Sequence, residues 1–142
     1  MAHALLANGI GKGQHLAVLL DRGVLPILTL LACWKAGAVF VPLDPAWPTE
    51  RLAFMLNDSQ PAGAIVEPRL AAALTMPDSC TVFEAEPFAA QAAQYPATCP
   101  DVSAHLDDVN YIIYTSGSTG TPKGIAMVHW CLANLVQWQL QY

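Results

Sequence analysis

The chain has 142 residues, 54% of them apolar and only 12% charged, against about 25% charged in an average soluble domain. Six Lys and Arg against eleven Asp and Glu leave a net charge of −5, and the basic residues are scattered singly, which argues against a nucleic-acid stripe or an electrostatic membrane patch. So little charge cannot cover an ordinary solvated surface, and part of the chain is expected to pack against further protein.

Residues 2–8 read as a helix stopped by Gly9 and the loop GIGKG, and no N-cap residue precedes it. The run HLAVLL at 15–20 is short, apolar and bounded by turns, as a buried strand is. Asp21, Arg22 and Gly23 turn the chain into a helix over 25–36, with Pro26 in its first turn and Gly37 as its stop. That helix is apolar nearly all round and is expected to be covered on both sides. Its stretch from Val24 to Trp34 is interrupted by Pro26 and Thr29 and falls well short of the roughly 20 apolar residues of a membrane span. Strands at 38–42 and 62–66 flank a helix at 48–58 in which Leu52, Met55 and Leu56 share a face. Strand and helix alternating at these lengths predict an α/β fold, a mostly parallel sheet with crossover helices.

Residues 68–106 change character and read as a variable Ala/Pro-rich connection, with a helical turn and one short strand at 80–83. Periodicity returns with NYIIYTS at 110–116, a strong strand, followed by the polar loop SGSTGTPKG and a second short strand at 125–129. From Trp130, Leu132, Leu135, Val136 and Leu140 recur at helical spacing and run to Tyr142 without a stop signal. Both chain ends therefore look cut through helices.

The segment from Thr115 to Gly124 carries the chemistry. Wrapping a polyphosphate needs inward-pointing main-chain N–H groups, small hydroxyls and a cation. Gly117 and Gly120 supply backbone freedom, Thr115, Ser116, Ser118 and Thr119 hydroxyls, and Lys123 the charge. A Walker loop would have Ser or Thr after Gly-Lys, whereas Lys123 stands between Pro122 and Gly124. GIGKG has the wrong glycine spacing for a dinucleotide fingerprint and leads into a strand.

YTSGSTGTPKG, entered through VNYII, resembles the signature loop of the adenylate-forming superfamily, which includes peptide-synthetase adenylation domains, acyl-CoA synthetases and luciferases. KAGAVFVPLDP at 35–45, followed by ERLAFML at 50–56, resembles a core region of nonribosomal peptide synthetase adenylation domains. Trp34, Phe40, Trp130 and Cys131 depart from that pattern without touching the loop. The resemblance implies that residues 1–142 are part of an adenylation domain, an incomplete N-terminal subdomain of the fold. It also implies the chemistry of the whole enzyme: a carboxylate, most simply an amino acid, attacks ATP with Mg²⁺ present, and the acyl-adenylate passes to the phosphopantetheine thiol of a carrier domain. Thr115, Ser116, Gly117, Ser118, Thr119, Gly120 and Lys123 would bind the ATP phosphates. The family's substrate-pocket Asp, its adenine-contacting aromatic motif, its metal-binding Glu, its ribose-binding Asp and its catalytic Lys find no match here. The resemblance therefore assigns this chain no catalytic or metal-binding residue, and the chain alone is expected to be inactive.

Plainer readings stand beside these. The Gly/Ser/Thr loop could be a hairpin connection without a ligand. The chain could belong to an acyl-CoA synthetase-type ligase, or be a non-catalytic nucleotide-binding or interaction module. Asp44 and Pro45 read as a turn, His129 as a packing or capping residue, and Asp107 and Asp108 as solvated loop charges. Trp34 and Trp138 are expected in core or interface, with Trp47 covering the sheet edge. His3, His15 and His105 have no partner at meaningful spacing. Cys33, Cys80, Cys99 and Cys131 lack metal-ligand spacing and are expected as reduced thiols in a cytoplasmic protein.

Overall fold

Strand β1 (His15–Leu19) divides its side chains between two cores: Leu16 and Val18 enter one apolar cluster, Ala17 and Leu19 another. A strand apolar on both faces needs cover on both sides, and this requirement sets the layers of the molecule. The computed structural model describes residues 1–116 and 121–141. Its other elements are α1 (Ala2–Ala7), α2 (Val24–Ala36), β2 (Val39–Pro42), α3 (Thr49–Ser59), β3 (Gly63–Val66), α4 (Pro68–Ala71), β4 (Thr81–Glu84), α5 (Ala85–Ala92), β5 (Val109–Ser116), β6 (Pro122–Val128) and α6 (His129–Gln139). The strand order is β4-β3-β1-β2-β5-β6, parallel except for the antiparallel β5–β6 pair.

Residues of α1, α2 and α5 share the cluster of Leu16, Val18 and Phe40, whereas residues of α3 and α4 share that of Ala17, Leu19 and Val41. Crossovers therefore leave the sheet on both faces. Each fully buried Leu or Ile, such as Leu16, Leu52 or Ile65, contributes about 1.5–3 kcal/mol relative to exposure. Gly37 closes α2 at φ 72°, pressed against Lys12 and Val102, as its place in the sequence predicts.

The Ala/Pro-rich span is more ordered than its composition suggests. The expected strand is present as Thr81–Glu84, parallel to β3, and α4 and α5 flank it. Helix α2 is covered on one side only. Thr29, Ala32, Cys33 and Ala36 are buried, while Val24, Ile27, Leu28 and Leu31 form an exposed stripe. The small residues pack inward because they allow the helix to lie close to the sheet.

Contacts between distant segments give His15 and His3 partners that spacing did not show, and His105 has a local one. His15 Nδ1 lies 2.6 Å from the Ser59 carbonyl, and His3 Nε2 lies 3.0 Å from that of Thr98. His105 Nδ1 is 3.4 Å from Asp107. Asp108 is not a simple solvated charge: it accepts from the His105 N–H at 2.7 Å and pairs with Lys12 at 2.9 Å. The four cysteines are free. No helix among the described residues is long and apolar enough to cross a membrane.

Candidate functional site

Helix α2 leaves β1 toward one face and α3 leaves β2 toward the other. Adjacent strands whose connections part in this way leave a crevice at their carboxyl ends, the usual ligand position in open α/β sheets. A cavity of about 660 Å³ lies there, floored by Val18, Leu20, Phe40, Pro42 and Ile113 and rimmed by Asp21, Arg22 and the turn from Asp44 to Trp47. Asp44 is a turn residue, as expected: its Oδ1 accepts the Ala46 N–H at 2.9 Å and its carbonyl accepts that of Trp47 at 3.0 Å. Trp47 lies beneath the Arg51 guanidinium, 4.6 Å from its ring centre, and lines the cavity rather than the sheet edge.

Strand β5 borders this crevice and ends at the candidate loop. Its antiparallel partner β6 starts at Pro122, earlier than the expected strand at 125. Lys123 therefore sits in a strand directly across from Thr115, with Ser116 across from Pro122. Pleating places Thr115 on the same face as Ile113, which lines the cavity, so the Thr115–Lys123 pair stands just beyond the cavity at the same end of the sheet. Thr115, Ser116, Thr121 and Lys123 are all exposed or partly exposed rather than swallowed in the interior, and Pro122 is half-buried. The structure thus brings Thr115, Ser116 and Lys123 together at one open sheet end. The candidates Gly117, Ser118, Thr119 and Gly120 lie outside the described residues.

The opposite face of the same stem holds residues that the motif alone does not single out. Tyr114 is buried, and its hydroxyl lies 2.7 Å from Asp58 Oδ2 and 3.2 Å from the Met55 carbonyl, both on α3. Burial, and next the hydrogen bond to Asp58, push the phenol well above its ordinary range, so it stays a donor. Gly124 lies across from Tyr114, and a Cβ there would meet the Tyr114 ring and Ile112 Cγ2 at 3.2 Å. The signal was present in the motif, whose Tyr precedes Thr-Ser and whose Gly follows Lys, but the partner Asp58 is distant in the chain.

His129 opens α6, and its backbone N–H donates to the Asp108 carbonyl at 3.1 Å; the helix has no side-chain cap. Among the described residues, no three His, Cys, Asp or Glu converge as metal ligands.

The family model described as AMP-binding enzyme matches residues 1–142. The chain is 37% identical to a plipastatin synthase from Bacillus subtilis (strain 168), over 98% of this chain and 5% of the relative. It is 40% identical to a linear gramicidin synthase from Brevibacillus parabrevis, over 97% of this chain and 3% of the relative. Among solved structures, the ATP-bound MatB from Rhodopseudomonas palustris superposes with a TM-score of 0.87 at 27% identity, over 99% of this chain and 30% of MatB. The N-terminal subdomain of NpsA from Klebsiella oxytoca gives 0.79 at 26% identity, over 94% of this chain and 34% of the other. The chain thus spans only a small part of the relatives it matches, and its mostly parallel sheet with crossover helices is that of the N-terminal subdomain of the adenylate-forming fold.

Proposed function

Because the chain belongs to the family of AMP-binding enzymes, we propose that it supplies the phosphate-gripping part of an ATP-dependent, carboxylate-activating ligase, most specifically one that activates an amino acid for nonribosomal peptide synthesis. The observation that carries this reading is the exposed Thr115–Lys123 pair at the open end of the β5–β6 stem. Together with Ser116, Gly117, Ser118, Thr119 and Gly120, this pair binds the β- and γ-phosphates of ATP. The Lys123 cation and the hydroxyls then face the charge that grows on departing pyrophosphate, and donors placed in advance stabilise such charge most. Mg²⁺ bound with ATP would neutralise phosphate charge, and this chain would add the donors of its hydroxyls and of Lys123.

The amino-acid branch rests on the peptide synthases at 37% and 40% identity, because likeness of fold is as great to MatB, at a TM-score of 0.87. In the whole enzyme the acyl group then passes to the phosphopantetheine thiol of a carrier domain. The residues that select the acid, hold adenine and ribose, and supply the catalytic Lys belong to other parts of such an enzyme. The 142 residues by themselves therefore form no adenylate.

ATP–pyrophosphate exchange by the intact polypeptide that carries this chain tests the reading. Lys123→Ala is expected to reduce exchange at least tenfold, about the loss of one charge-assisted hydrogen bond. Unchanged exchange in that variant, or exchange by the 142 residues alone, would contradict it.

A further inference from the structure

We propose that Tyr114 and Asp58 form a positioning latch that ties the phosphate-binding hairpin to helix α3, an inference that rests on the phosphate reading above. The parallel ladder between β2 and β5 is registered at Phe40 against Tyr111. The antiparallel β5–β6 ladder continues beyond it to Ser116 against Pro122. The end of the stem, where Thr115 and Lys123 stand, thus runs past its registered neighbour on the sheet and has β6 as its ladder partner. Two short paired strands alone are marginal in water, so the placement of this end depends on side chains.

Tyr114 supplies that anchorage. Among the described residues, no other side chain of β5 or β6 is hydrogen-bonded to a different element. Its single phenolic proton points to the Asp58 carboxylate at 2.7 Å, with the Met55 carbonyl a longer second acceptor at 3.2 Å. Both acceptors lie in the last two turns of α3, whose Leu52, Met55 and Leu56 are buried against the sheet. The anchor point is therefore rigid. A hydrogen bond to an ionised acceptor is shorter and stronger than a neutral one, and 2.7 Å is in that range.

Gly124 extends the hold to both strands. With no side chain at Gly124, the Tyr114 ring lies across β6, within 3.2–3.3 Å of where a Cβ would stand. The next pair along the ladder is Thr115–Lys123, on the other face of the pleat. Holding the Tyr114–Gly124 pair thus sets the height and tilt at which the Thr115 hydroxyl and the Lys123 cation meet a phosphate. Tyr114 borders the cavity at the strand ends, but its hydroxyl is engaged by α3, so the pair acts on the phosphate through its neighbours Thr115 and Lys123.

Titration of the intact polypeptide with MgATP and with inorganic pyrophosphate, in the wild type, Tyr114→Phe, Asp58→Ala and the double variant, tests the latch. Each single change is expected to weaken pyrophosphate binding about three- to tenfold, the size of one hydrogen bond. The double variant should lose no more than either single change, because both break one link. In exchange assays, KM for ATP rises while kcat is retained. A purely structural tie would instead lower the melting temperature and leave the affinity of the folded fraction unchanged, and that result overturns the latch, as do additive losses in the double variant. Asp58→Ala, at an exposed position, removes the acceptor and serves if Tyr114→Phe does not fold. Wild-type protein that binds neither probe overturns the phosphate reading itself, and the latch with it; wild-type binding that falls with Lys123→Ala but not with either latch variant overturns the latch alone.

Discussion

The two flanks of the sheet follow different rules. On the side of β1, β2 and β3, strands are apolar on both faces, helices cover them, and Leu16, Val41 and Ile65 are fully buried. On the side of β5, β6 and α6, Ile113 and Ile125 are nearly half exposed at 45% and 46%, and α6 buries no residue at all. The first flank is closed by its own helices; the second leaves apolar groups uncovered among the described residues. A large exposed apolar surface on a soluble domain commonly marks a contact with other protein.

The largest effect that can break this comparison is a core truncation. Leu16→Ala on β1 is expected to cost about 2–5 kcal/mol in urea unfolding, whereas Leu140→Ala, at a residue 82% exposed, should stay within about 0.5 kcal/mol. Similar losses at both sites would show that the second flank shares the same core. Next comes Gly124→Ala. Its new methyl must displace the Tyr114 ring and Ile112, both at 3.2 Å, so a loss of about 1–3 kcal/mol is expected from overpacking, and crystallography of the variant should show the ring moved.

Asn110 gives a smaller effect of opposite sign. It is fully buried on β5, and neither polar atom of its side-chain amide has a partner among the described residues. An unpaired buried polar group costs about 1–3 kcal/mol, and an apolar replacement of the same shape is neutral or stabilising. Asn110→Leu is therefore expected to leave the urea midpoint equal or higher; a clear fall would mean that the amide is satisfied by a group outside the described residues. The smallest effect is acid sensitivity at Asp108. The His105 backbone N–H, then Lys12, hold its carboxyl below the ordinary 3.8. The folded state thus binds this proton less tightly than the unfolded state. The contribution to stability is complete above pH 3.8 and fades as pH falls through the lower folded value. Asp108→Asn should flatten that acid limb in pH-dependent melting, with little change at neutral pH, because the pair is exposed and screened.

Much of the fold was legible because apolar runs of strand length and helices of matching period were separated by clear turn chemistry. Gly37 shows the gain of that approach: a helix stop is expected there, and the helix does end there, at a left-handed φ of 72°. Residues 68–106 show its limit. An Ala-rich helix such as α5 is held by packing of Phe88 and Ala92 on the core, and composition does not announce packing. The site was legible as a motif at Thr115, Ser116 and Lys123, while Tyr114 was legible as a strand residue opening the motif but without its role, which depends on Asp58, far away in the chain.

By itself, then, the amino-acid sequence determined the element types, the parallel sheet and the family resemblance of the loop, all of which depend on neighbours a few residues apart. Tertiary structure alone decided that Lys123 stands in a strand opposite Thr115, that α2 turns its small residues inward, and that Asp58 meets Tyr114. Those outcomes come from strand register, close packing and hydrogen bonds between distant segments, and local spacing carries no record of which distant groups will meet.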